Sequence, residues 1–120
     1  MTERRGEWPV RLSASAETDF QAIVRWTARQ FGPRQAAAYA QILSAALISL
    51  SEAGPKAGGV RKRSDIAKGL YTLHAGRGGK RARHFMMFRV TRGKGRETID
   101  VLRILHDAMD LARHLPPDRE

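Results

Sequence analysis

The chain has 120 residues, 22 Lys and Arg against 12 Asp and Glu, a formal net charge of +10 and no cysteine. That length provides for one domain around one hydrophobic core, and the charge draws polyanions or acidic proteins at a rate that salt reduces. The absence of thiols excludes disulfides, cysteine nucleophiles and thiolate zinc sites. No apolar run follows the early arginines to make a secretory leader, and the longest apolar run is read as too short to span a bilayer; the expectation is a cytoplasmic protein without membrane association.

Residues 1–9 read as a flexible N-terminus, 10–115 as a single domain and 116–120 as a flexible tail. Pro9 pushes its predecessor into an extended conformation, and Val10 to Leu12 reads as a first strand. Ser13 is a good N-cap, with Glu17 and Asp19 near the positive end of the helix that follows. Ala16, Phe20, Ile23, Thr27 and Phe31 recur at spacings of three and four, which predicts one buried face on a helix from Ala14 to Phe31. Gly32 ends it, and Pro33 suits the first position of a second helix, where its missing N–H removes nothing. Ala36, Tyr39, Leu43, Ala46, Leu47 and Leu50 form the apolar stripe of that helix, so the two make an antiparallel hairpin.

From Ala53 to Lys68 no period is visible, and the segment reads as a loop with a helical turn near Ser64 to Ala67. Gly69 to His74 is the second predicted strand, 75–80 a glycine-rich connection, Arg83 to Thr91 the third strand and Arg92 to Arg96 a turn. In the third strand Phe85, Met87 and Arg89 point one way and His84, Met86, Phe88 and Val90 the other. The stretch from Thr98 to Leu115 organises the whole: its apolar strand, Glu97 to Leu105, asks for burial on both faces and leads into a short basic-ended helix. Links this short join antiparallel neighbours. The expected fold is α+β: an N-terminal strand, a helical hairpin packed on a small, mainly antiparallel sheet in the order β-α-α-β-β-β, and a short C-terminal helix.

Charge is uneven. Residues 56–96 hold 13 Lys and Arg against Asp65 alone, net +12, while the remainder is net −2. With the hairpin on one face of the sheet, arginines such as Arg83 and Arg89 predict a wet, concave opposite face that takes an acidic peptide or a nucleic acid; a merely solvated face is the competing reading. No phosphate-binding glycine motif is present. His106 and Asp110 alone have metal-ligand spacing, and a structural pair is the better reading of them, so no metal is expected. The composition permits phosphodiester cleavage, with His84 or His106 as base and Arg83, Arg89 and Arg103 as a clamp. Tyr39, on an apolar helix face, reads as core. Arg103 is expected to pair internally, with Asp100 or Asp110.

Val10-Arg11-Leu12-Ser13 leading to Ala16-Glu17 and Asp19-Phe20, the Phe31-Gly32 break, Gly69-Leu70, His84 to Val90, and Val101 to Asp110 with its Arg-Ile-Leu-His and Met-Asp steps together resemble the ParE branch of the ParE/RelE toxin superfamily, from Val10 to Leu115. The resemblance implies a toxin that inhibits DNA gyrase by binding, without a reaction or cofactor of its own. It also implies a ParD-like antitoxin whose acidic C-terminal segment folds along the toxin, the two together repressing their operon at its operator DNA. On that reading the antitoxin or the target meets Arg61, Lys62, Arg63, Tyr71, Arg83, Arg89, Arg103, His106, Met109 and Arg113. The RelE branch, which cuts messenger RNA in the ribosome, is the alternative. Against it, Asp107 follows His106 and no tyrosine occurs after Tyr71.

Overall fold

The computed structural model describes residues 8–76, 81–93 and 95–108. Two long helices, α1 (Ala14–Phe31) and α2 (Pro33–Ala53), follow strand β1 (Val10–Leu12). Strands β2 (Val60–Lys62), β3 (Tyr71–His74), β4 (His84–Gly93) and β5 (Arg96–His106) come after them. The five strands form one sheet in the order β1-β5-β4-β3-β2. Among the described residues only the β1–β5 pair is parallel. The proposed C-terminal helix and the tail lie outside the described residues.

The hairpin forms as its sequence dictates. Ser13 caps α1 by accepting from the Ala16 N–H at 3.0 Å while donating its hydroxyl proton to the Leu102 carbonyl at 2.8 Å, so one side chain both starts the helix and ties it to β5. Gly32, at φ 94°, lets the chain reverse where a Cβ would be strained, and Pro33 opens α2. Ala16, Leu43, Ala46 and Leu50 pack against Leu73, Met86, Phe88, Ile99, Val101 and Ile104 to make the main core. α2 is, by length and composition, apolar enough to cross a bilayer, contrary to the expectation from the sequence. Its stripe is instead the helix side of that core.

β5 runs inside the sheet between β1 and β4, as its apolar content required, and a bulge lets it serve two faces. Met87 pairs with Arg103 and Phe88 with Val101, so Leu102 is the additional residue. Ile99, Val101 and Ile104 enter the main core. Leu102 joins a second cluster with Leu70, Met87 and Leu105, roofed by Ile66 and Ala67. This second cluster corrects the expected arginine-lined face: the turn between β2 and β3 folds over the sheet's far side and covers its centre with apolar atoms. β2 is a further correction, since three residues with two charges carry no readable strand period, yet they pair with β3.

Where β1 ends at Leu12, Ser13 and Asp19 continue the edge of β5. The Ser13 N–H donates to Val101 O at 3.0 Å, and Asp19 accepts from the Ile104 N–H at 2.9 Å. Asp19 also receives both Nε and Nη2 of Arg103, at 2.8 and 3.0 Å. Arg103 thus pairs internally, but with an acid brought in by α1 rather than with Asp100; Asp110 lies outside the described residues. Asp100 instead accepts from Arg11 and Thr91. Trp8, expected to be loose, is held by its N–H to Ser51 O at 2.9 Å and packs against the main core.

Candidate functional site

An open groove of about 1010 Å³ runs between the hairpin and the end of the sheet. Ala22, Ile23, Trp26 and Phe31 of α1 with Ala38 and Ile42 of α2 form its apolar wall. Tyr39, His84 and His106 line its polar end, beside Arg81 and Arg83. Trp26 and Phe31 meet edge to face, with ring centroids 6.0 Å apart. They stay 51% and 63% exposed, so Phe31 is not the core residue that its spacing on α1 predicted. It stands at the last position of the helix, where the sheet no longer lies beneath it.

β4 and β5 place His84 and His106 opposite each other, their rings 5.3 Å apart and nearly perpendicular. Tyr39 reaches them from α2. Its hydroxyl accepts the Arg83 backbone N–H at 2.9 Å and stands 2.7 Å from His84 Nδ1; among the described residues that nitrogen is the acceptor within reach of the phenol proton, which assigns the hydroxyl as donor to Nδ1. Burial, and next the neighbouring His106, lower the His84 pKa from 6.5 to about 4. The ring is therefore neutral, and the Tyr39 pairing so assigned puts its proton on Nε2. Burial also raises the Tyr39 pKa, against the opposing effect of the Arg83 N–H, so the phenol keeps its proton.

The same tautomer recurs at the other two described histidines. His106 Nδ1 accepts the Ala108 N–H at 3.1 Å and lies 3.6 Å from Asp107 Oδ1, too far for a hydrogen bond to it. His74 Nδ1 accepts the Gly76 N–H at 2.9 Å, which leaves its Nε2–H to donate to Asp107 at 3.0 Å. A backbone N–H can only donate, so each of these rings carries its proton on Nε2. Asp107 also receives Arg83 Nε at 3.3 Å, and the His74 bond, then the Arg83 charge, hold its carboxyl below the usual range. No three His, Cys, Asp or Glu side chains among the described residues are placed to share a metal ion.

Of the residues singled out in the sequence, Arg83, His84 and His106 come together here. Arg61 and Lys62 are exposed on β2, the opposite edge of the sheet. Arg63 is bound to Asp65 by two hydrogen bonds. Tyr71 stacks on Phe88 at 5.3 Å within the helix-side core, while Arg89 lies opposite Asp100 in the β4–β5 register, whose carboxylate is taken by Arg11 and Thr91. Arg103 is engaged by Asp19 through two of its nitrogens. Met109 and Arg113 lie outside the described residues. Tyr39, Trp26, Phe31 and Arg81 are the site residues that sequence reasoning missed. Tyr39 and Phe31 sat on helix faces whose period says only that something is buried, and Arg81 was one basic residue among many.

The family model for the ParE toxin of type II toxin-antitoxin system, parDE, matches residues 10–111. Toxin ParE1 of Mycobacterium tuberculosis, from strain CDC 1551 / Oshkosh and from strain ATCC 25618 / H37Rv, is 36% identical over 104 residues, covering 87% of this chain and 94% of its own length. A chain of the solved chromosomal ParDE TA system from P. aeruginosa shares the fold with a TM-score of 0.63 and 22% identity, over 82% of this chain and 95% of that one. The architecture is that of a hairpin-on-sheet toxin. The chain belongs to the ParE toxin family of type II toxin–antitoxin systems.

Proposed function

We propose that this toxin acts by binding DNA gyrase, in the cytoplasm, rather than by a reaction of its own, and that a ParD-like antitoxin neutralises it and joins it in repressing their operon at the operator DNA. The observation that carries the non-enzymatic reading is the hydrogen bonding of the histidines. His106 and His74 have Nδ1 taken by a backbone N–H and so carry their proton on Nε2, and the Tyr39 pairing assigns His84 the same tautomer, which leaves none of the three a free lone pair to take a proton from a ribose hydroxyl. Arg103, the third member of the cationic clamp a nuclease would use, is bound to Asp19. Family membership supports the remainder.

The test is a supercoiling assay with purified gyrase and toxin. Blocked supercoiling or accumulation of cleaved plasmid is expected; an unaffected gyrase at large molar excess of toxin overturns the reading. Primer extension on messenger RNA from a translating extract checks the nuclease alternative, and discrete toxin-dependent cuts would establish it instead. For the antitoxin, co-expression with the neighbouring gene is expected to yield a stable complex in which the partner's acidic segment resists protease. The exposed Arg61 and Lys62 supply part of the attraction.

A further inference from the structure

The polar end of the groove combines features that the toxin's proposed action leaves unused. Two imidazoles face each other across β4 and β5, both lining the groove, and among the described residues neither Nε2 has a hydrogen-bond partner. Their tautomers are set from behind, by the Tyr39 hydroxyl and the Ala108 N–H. Two donors close together without an acceptor ask for an anion or a carbonyl. Arg81 and Arg83 at the same end favour the anion. Asp107, the carboxylate nearest to them, already has His74 and Arg83 on its oxygens and cannot fill the role.

We propose that this end of the groove is a carboxylate-binding site, in which His84 and His106 donate from Nε2 to the acid and the wall of Ile23, Trp26 and Ile42 takes an apolar group carried beside it. The occupant is an acidic side chain next to a large apolar residue on a peptide segment. In the cell that peptide belongs to the antitoxin, a step that rests on the proposed pairing. Tyr39 is a positioning residue: it touches no ligand but fixes which nitrogen of His84 bears the proton.

The experiment uses the full chain, 15N-labelled at histidine, titrated near neutral pH with 4-phenylbutyrate and with its neutral analogue 4-phenylbutanamide. The acid is expected to shift the Nε2 resonances of both His84 and His106 and to bind about tenfold more tightly than the amide, the difference a charge-assisted pair of hydrogen bonds supplies. Acetyl-Phe-Glu-amide against acetyl-Phe-Gln-amide repeats the comparison for a peptide side chain, and equal affinities there would overturn the peptide assignment. Replacement His106→Phe is expected to abolish the preference for the acid while leaving binding of the amide. Tyr39→Phe, which frees the His84 proton to move, is expected to shrink the preference and to show Nδ1–H character at His84 in the nitrogen shifts. Acid and amide binding alike, or an acid preference that persists in His106→Phe, would overturn the site. So would an equal loss in the remote Arg61→Gln, Lys62→Gln variant, which would reduce the effect to general charge. Gyrase inhibition is read separately, so failure here leaves that proposal standing.

Discussion

A single carboxylate holds the corner where helix meets sheet. Asp19 accepts from Arg103 Nε and Nη2 and from the Ile104 N–H, with its side chain 14% exposed. Asp19→Ala would leave a half-buried guanidinium and a backbone donor unpaired, and about 2–3 kcal/mol of stability should be lost, as read by urea unfolding. Asp19→Asn keeps an oxygen for one donor and should cost less. His84 makes stability depend on pH. Its pKa falls from 6.5 to about 4 on folding, so the unfolded chain binds more protons between those values. Stability contributed by the neutral ring is therefore present above 6.5 and is lost as pH falls toward 4. Discounted for the half-open site, the effect should be about 1 kcal/mol. The slope of unfolding free energy against pH in that window should flatten in His84→Asn.

At the scale of elements, the helices were legible because apolar residues at three and four spacing, a serine cap and a Gly-Pro break all point the same way. β4 and β5 were legible for the complementary reason: their alternation, interrupted only at Leu102, tracks two buried faces. β2 was not, because an edge strand of three residues has one partner and few side chains to bury, so no pattern is imposed on it. The joint between Trp8 and Gly54 was equally hidden. A Cβ on Gly54 would sit 2.5 Å from the Trp8 indole, at a φ of +60°. Gly54→Ala should therefore displace Trp8, with a red-shifted emission and a loss of about 2 kcal/mol. An unchanged spectrum would show that the indole has room to move.

For the whole molecule, composition gave the sign of the charge but not its placement. The basic run from 56 to 96 breaks up in three dimensions: Arg61 and Lys62 on one edge, Arg63 bound to Asp65, Arg83 at the groove and Arg89 within β4. The sequence also could not show which histidines share a site, since His84 and His106 meet only through the pairing of β4 with β5. Reversing the exposed edge with Arg61→Glu and Lys62→Glu should slow association with the antitoxin about threefold or more at low salt and leave the fold intact, an effect that added salt erases. An unchanged association rate would mark that edge as merely solvated.

The parallel pairing of β1 with β5 matches Val10 to Ile99 and Leu12 to Val101, and Ser13 and Asp19 reach the same late strand. On the ribosome, β1 must wait for the late strand β5 to be translated before it can dock. Until then the hairpin has no floor under its far end and the groove does not exist. On the proposed function, stalled chains ending before residue 99 should neither inhibit gyrase nor capture the antitoxin.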